Sequence, residues 1–127
     1  MNKKSMLSTL WIVLVVNFIF CDVFTLFNPK ELQQILTGQV GGMEINQQFL
    51  LIFSIIMEIP MLMILLSYLL KYKINRILNI AIAVFLIMVQ TWSLIGGDNS
   101  LHYLFFSIVE ITICIIIFII AVKWKKE

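Results

Sequence analysis

Residues 101–122 read LHYLFFSIVEITICIIIFIIAV, an apolar stretch that contains one acidic residue, Glu110, and no lysine or arginine. A helix needs about 20 mainly apolar residues to cross the ~30 Å hydrocarbon core of a bilayer. The stretch shows no period of two, and it is longer than the roughly 9–11 residues of a barrel strand. Because a backbone in lipid must satisfy its own hydrogen bonds, the stretch predicts a transmembrane helix.

Three earlier stretches have the same character, namely residues 7–27, 49–70 and 77–95. The composition agrees, with 61% hydrophobic and 13% charged residues, whereas soluble domains average about 45–50% and about 25%. The sequence therefore predicts an all-α fold, a four-transmembrane-helix antiparallel bundle. We expect it to form a single membrane domain over residues 1–127.

Basic residues predict the orientation of the bundle. Of the nine Lys and Arg residues, only Lys30 falls on one side of the predicted spans. The positive-inside rule then places both termini and the turn between spans two and three in the cytoplasm. Trp11 near the predicted inner boundary and Trp92 near the outer one are typical of an aromatic belt. We expect a multi-pass protein of the cell membrane.

The first outer loop carries signals for a short helix. Asn28 is suited to be its N-cap, Pro29 its first residue and Glu31 the capping-box partner. Gly38 supplies a stop signal at the other end. The sequence predicts an amphipathic helix over residues 29–37, lying on the bundle or in the outer interface.

Two acids fall near the middle of predicted spans, Glu58 on span two and Glu110 on span four. By position they lie at a similar depth. A charged side chain there costs about 2.5–3.5 kcal/mol on insertion scales. No lysine or arginine of the chain reaches that depth, so we expect at least one of the two acids to be protonated. If they lie close together, they titrate as a unit.

Other polar residues in the spans suggest a pocket in the bundle interior. Helical spacing puts Tyr103, Ser107 and Glu110 on one stripe of span four, and Gln90 lies in the outer half of span three. In span one, Asn17 and Asp22 point about 140° apart at ~100° per residue. The candidate residues for binding a proton or ligand are Glu58, Glu110, Asp22, Gln90, Asn17, Tyr103 and Ser107.

Pro60 lies two residues after Glu58, inside the second span. A proline there removes one backbone hydrogen bond and kinks the helix. The kink would open space for a ligand or water beside the acid. Alternatively, it simply bends the span, since transmembrane helices tolerate proline.

Several segments of the chain resemble a known group of proteins. They are STLW (8–11), CDVFTL (21–26), ILTG (35–38), GG (41–42), MEIPM (57–61) and YLFFSIVE (103–110). The chain resembles a family of small, uncharacterised bacterial four-helix membrane proteins over almost its whole length. In outline it also resembles DoxX-like four-helix proteins. The resemblance implies the four-helix topology and a location in a bacterial inner membrane, and it brings no activity with it.

Three functions remain open at the level of sequence. The first is a binding or transport protein whose acidic pocket takes a proton, a cation or a small apolar ligand; transport would require a homo-oligomer. The second is a structural or accessory subunit in which the acids only hydrogen-bond between helices. The third, a lipid or quinone enzyme, is less favoured, because the sequence offers no metal cluster, Ser–His pair or phosphate-binding loop. We expect no catalytic residue, metal, cofactor or nucleic-acid partner. The lipid bilayer is an expected partner of the chain.

Overall fold

The computed structural model of the chain describes residues 2–40, 43–95 and 101–125. Within these residues the chain forms five helices: α1 (Lys3–Phe27), α2 (Pro29–Leu36), α3 (Gln47–Leu69), α4 (Tyr72–Ile95) and α5 (Leu101–Lys123). Two short strands, β1 (Gln39–Val40) and β2 (Met43–Glu44), pair antiparallel between α2 and α3. The sequence also predicts turns at Gly41–Gly42 and over residues 96–100, and both segments lie outside the described residues.

The four long helices have the properties that the sequence predicts. Among the described residues, α1, α3, α4 and α5 are each long and apolar enough to cross a membrane. Much of their outer surface consists of large hydrophobic side chains. Soluble monomers rarely expose large continuous apolar surfaces. The mainly helical fold with four long apolar helices is confirmed, and it fits a multi-pass membrane protein.

Asparagine side chains cap three of the helices at their N-termini. A side-chain oxygen of this kind accepts a hydrogen bond from a backbone N–H that the first helical turn leaves unpaired. The first of these caps starts α1 at Lys3, four residues before the predicted span. The three bonds run from Ser5 to Asn2 at 2.8 Å, from Lys30 to Asn28 at 3.1 Å and from Phe49 to Asn46 at 2.7 Å.

The segment after α1 combines the short helix α2 with the strand pair. The backbone N–H of Asn28 donates to the carbonyl of Thr25 at 3.2 Å, and this bond takes the place of the capping-box bond expected with Glu31. After α2, Gly38 adopts a φ of 85°, a conformation that glycine adopts without the steric cost of a side chain. Ile45 then donates its N–H to the Gly38 carbonyl at 2.7 Å, which closes the loop.

The connection between α3 and α4 is shorter than the sequence suggests. The predicted span began at residue 77, but α4 begins at Tyr72, so residues 70–71 alone join the two helices. The reason is that two polar residues of the expected turn are used inside the helix. Asn75 is fully buried, and Arg76 donates to backbone carbonyls at the end of α5.

The long helices pack around a core that all of them share. Helix α1 lies between α3 and α5, α4 packs against α5, and the contact between α3 and α4 is smaller. The buried apolar side chains include Leu7, Leu14, Met63, Ala83, Leu86, Ile113 and Ile117. Among the described residues, α3 therefore packs mainly against α1.

Candidate functional site

The buried polar side chains form two separate groups along the bundle. We call the end that holds the start of α1 and the end of α5 the termini end, and the opposite end, which holds α2, the α2 end. One polar group lies in the half nearer the termini end and the other in the half nearer the α2 end. Apolar core residues such as Leu14 on α1 and Ala83 and Leu86 on α4 lie between the two groups along their helices.

The group near the termini end is a closed hydrogen-bond network of four fully buried residues. The indole Nε1 of Trp11 donates to Oδ1 of Asn79 at 2.7 Å, and the Ser67 hydroxyl donates to the same oxygen at 3.3 Å. Asn79 donates through Nδ2 to Oδ1 of Asn75 at 2.6 Å. Asn75 in turn donates to the Ser67 carbonyl at 2.7 Å. The network joins α1, α3 and α4.

Trp11 corrects an expectation from the sequence, which placed it in an aromatic belt at the membrane boundary. Its side chain is fully buried inside the bundle. An indole N–H needs an acceptor when it is buried, and Asn79 on α4 provides one. The spacing of Asn75 and Asn79, four residues apart on one helix face, is the sequence signal that could have located this network.

Glu110 is the acidic residue of the group near the α2 end. Its side chain is only 2% exposed. Asn17 on α1 donates through Nδ2 to the Glu110 carboxyl at 3.2 Å and to the Phe106 carbonyl at 3.2 Å. Among the described residues, no lysine or arginine pairs with this acid. An ionised carboxylate here would therefore be both desolvated and without a counter-charge.

Further polar pairs extend from Glu110 toward the α2 end. Gln90 on α4 donates through Nε2 to the Ser107 hydroxyl at 2.6 Å. One turn farther along α5, the Tyr103 hydroxyl forms a hydrogen bond with the hydroxyl of Ser93. At the end of the stripe, the ring Nε2 of His102 lies 3.2 Å from the Thr25 hydroxyl on α1. We call the set from Glu110 to His102 the polar stripe.

The structure brings together five of the seven residues predicted from the sequence. The polar stripe includes Glu110, Asn17, Ser107, Gln90 and Tyr103. Three helices contribute to it, α1, α4 and α5, because α5 packs against both α1 and α4. Ser93, Thr25 and His102 join the stripe although the sequence analysis did not select them. Their only signal in the sequence was a position in the turns of apolar helices near the α2 end.

Glu58 lies elsewhere, so the shared pocket that the sequence suggested for Glu58 and Glu110 is not what the structure contains. Glu58 is exposed on the surface of α3. The buried face of α3 carries Pro60, Met63 and Ser67. Since Pro60 lies two residues after Glu58, the two side chains point about 160° apart at ~100° per residue. Pro60 therefore packs inside the bundle, and α3 continues through it as one helix.

Asp22 is the second predicted residue outside the stripe. It is exposed on α1, five residues after Asn17. The angular separation expected from the sequence explains this outcome, because only one of the two side chains can face α5. Asn17 takes that position through its bond to Glu110.

The described residues also bear on metal binding. No three His, Cys, Asp or Glu side chains within this part of the chain lie close enough to hold a metal ion. Both cysteines, Cys21 and Cys114, are buried and free. In addition, every buried side-chain nitrogen or oxygen in the described part has a hydrogen-bond partner. Glu110 is thus a single acid in a site whose other polar groups are amides, hydroxyls and an imidazole.

Comparison with known proteins gives one match. The model of a family described as "Family of unknown function (DUF6326)" matches residues 1–127. No curated protein and no solved structure matches the chain.

Proposed function

This chain belongs to the DUF6326 family of unknown function, and we propose that it is a multi-pass cell-membrane protein in which Glu110 binds an exchangeable proton. The observation that carries the proposal is the burial of Glu110 without a counter-charge, at the inner end of a polar stripe. Acids inside membrane spans are costly, and they commonly belong to proton or substrate pathways.

The proposed topology is an antiparallel bundle of four spanning helices with both termini in the cytoplasm. Contacts along α4 and α5 support opposite directions, because Arg76 bonds Ala121 while Gln90 bonds Ser107. The excess of basic residues near the termini end supports the orientation. The polar stripe then opens toward the outer face. A reporter that fluoresces only in the cytoplasm should fluoresce when it is fused to the C-terminus. A reporter that is active only outside the cytoplasm should be inactive at the same position, and its activity there would contradict this orientation.

A proton fits the site better than a larger ligand does. A small-molecule pocket encloses several hundred Å³, and a hard cation requires about six or more oxygen ligands. Glu110 instead lies in a packed interior, and its described hydrogen-bond partner is the Asn17 amide. A proton needs neither a cavity nor a ligand shell. Binding it also removes the charge that would otherwise be buried.

The polar stripe supports exchange of this proton with one side of the membrane. Hydroxyl and amide groups of Ser107, Gln90 and Tyr103 follow one another along α5 and α4 from Glu110 toward the α2 end. In the other direction α5 buries Ile113 and Ile117, which offer no polar group. We propose that the proton enters and leaves from the α2 end, and that this arrangement does not conduct it to the other face.

Infrared difference spectroscopy at varying pH tests the proposal on the purified full chain in lipid. We expect a carboxylic-acid C=O band that changes with pH and disappears in Glu110→Gln. Glu58→Gln is the matched control, since it alters an acid of the same type at a similar depth but outside the stripe. It should leave the Glu110 band in place. If Glu110→Gln removes no pH-sensitive band, the proton-binding proposal fails.

A second candidate function is structural, and one observation favours it. Every buried side-chain nitrogen or oxygen in the described part of the chain has a partner, as expected if Glu110 and Asn17 only join α5 to α1. The same spectra separate the two functions. A Glu110 band that is present but insensitive to pH, together with reduced stability of Glu110→Leu, would support the structural role.

A further inference from the structure

Glu58 presents an unsolved problem for a helix in lipid. It lies at the centre of α3, which runs from Gln47 to Leu69, and its side chain is exposed. No hydrogen bond or ion pair from a described residue reaches its carboxyl. Acyl chains cannot supply one, and a polar group in hydrocarbon without a partner costs several kcal/mol. A partner from outside the chain would remove this cost.

The surface around Glu58 has the pattern of a helix-packing seam. Leu51, Glu58 and Leu65 are spaced by seven residues and therefore lie on one line along α3. Both leucines are exposed, at 60% and 56%. The neighbouring positions Ile55 and Leu62 are also large, apolar and exposed. We call this line with its neighbours the Glu58 face. A single polar residue within such a repeat typically fixes the register and the number of packed helices.

We propose that the Glu58 face binds a second copy of this chain across a two-fold axis parallel to the membrane normal, so that the two Glu58 side chains hydrogen-bond each other. Copies inserted in the same orientation hold Glu58 at the same depth. A two-fold axis beside α3 therefore places the two acids opposite each other. A protonated carboxyl has one donor and remaining acceptor capacity, so two of them are mutually complementary.

The chemistry of the face favours a copy over an unrelated partner. A different protein would have to present a matching donor and acceptor at this one depth within an apolar surface, whereas symmetry supplies both automatically. The surface next to the face also offers room for partner side chains. A shallow, mainly apolar groove between α1 and α3 is lined by Ser8, Met61, Ile64, Leu65 and Tyr68. This proposal depends on membrane insertion and is independent of proton binding at Glu110.

Cross-linking of single cysteines in lipid vesicles tests which surface of α3 meets the second copy. The background is the full chain with Cys21→Ala and Cys114→Ala. Leu51→Cys lies on the Glu58 face, while Ile52→Cys is its neighbour, similarly exposed at 51% against 60% but rotated by about 100°. We expect a disulfide-linked dimer from Leu51→Cys and little from Ile52→Cys. Equal cross-linking of both would overturn the proposal.

Substitution of the acid tests its part in the contact. Single-molecule photobleaching of the labelled full chain in vesicles counts the copies in each assembly. We expect wild type and Glu58→Gln to be dimeric, because a glutamine amide also both donates and accepts. Glu58→Leu should weaken the dimer about tenfold, as expected from the loss of an interhelical hydrogen bond. Helical circular dichroism checks that each variant folds. A monomeric wild type, or Glu58→Leu as tightly dimeric as wild type, would refute the proposal.

Discussion

The indole Nε1 of Trp11 lies 2.7 Å from Oδ1 of Asn79, and both side chains are fully buried. Asn79 Oδ1 also accepts from Ser67 at 3.3 Å. One amide oxygen thus receives donors from α1 and α3 while its own helix is α4. This contact holds together three helices whose outer surfaces are apolar, and it gives the bundle a specific arrangement that lipid-facing leucines alone would not define.

Trp11→Phe should destabilise the protein by about 1 kcal/mol, because it removes a buried hydrogen bond and leaves Asn79 with its longer one. Unfolding of the purified protein by SDS titration measures the change. Trp92→Phe is the matched control, since Trp92 is 76% exposed, and it should have almost no effect. Equal losses in both variants would contradict a specific contribution of the hydrogen bond between Trp11 and Asn79.

Arg76 should fix the last turn of α5. Its Nε donates to the Ala121 carbonyl and its Nη2 to the Val122 carbonyl, both at 2.9 Å. A lysine cannot reproduce this fork of two donors. In Arg76→Lys we expect backbone hydrogen exchange in the last turn of α5 to rise about fivefold, which corresponds to about 1 kcal/mol. Lys73→Gln, at an exposed neighbouring position, should leave the exchange unchanged.

Ser107 should contribute more to stability than the serine on the outside of the bundle. It is fully buried and accepts from Gln90 at 2.6 Å, whereas Ser54 is exposed and bonds only the Leu50 carbonyl of its own helix. We expect Ser107→Ala to cost about 0.6–1.7 kcal/mol, the range measured for interhelical hydrogen bonds, and Ser54→Ala close to none. SDS titration of both variants gives the comparison. A larger effect of Ser54→Ala would argue that α3 packs differently in the membrane.

The two cysteines should be protected from reagents in the folded protein. Cys21 is 5% exposed and Cys114 is 2% exposed. A membrane-permeant maleimide should therefore label neither in lipid and both after denaturation in SDS, as read by the mass increase. Phe105→Cys is the positive control for labelling, because the Phe105 side chain is 64% exposed. Fast labelling of Cys21 in the folded protein would contradict the burial of this face of α1.

The sequence predicts the helices well because their signal is local. Twenty apolar residues in a row indicate a span without any knowledge of its neighbours, and Asn28 and Gly38 mark the ends of α2 in the same local way. The stripe on α5 was also predictable, since Tyr103, Ser107 and Glu110 are spaced along one helix face. What could not be predicted is which face of each helix meets another helix.

Glu58 illustrates this limit. In a soluble protein, the hydrophobic face of a helix points inward and reveals its orientation. Helix α3 is apolar on all sides, so its sequence does not distinguish the face toward α1 from the face toward lipid. Glu58 was the one feature of α3 that suggested which face points into the bundle, and it suggested the wrong face. Pro60, rather than Glu58, takes the buried position. In α1, only one of Asn17 and Asp22 can face α5. The sequence could not identify which one, because it does not show where α5 lies.

The contact between Trp11 and Asn79 joins residues that are 68 positions apart in the chain, and this separation has a consequence for biosynthesis. As the ribosome delivers the chain into the membrane, α1 emerges first and waits through the synthesis of α2 and α3 before its hydrogen-bond acceptor exists. Until α4 has been inserted, the indole N–H of Trp11 must find a temporary partner in water, a lipid headgroup or the insertion machinery. Assembly of this bundle is therefore completed late, after the third of its long helices has been made.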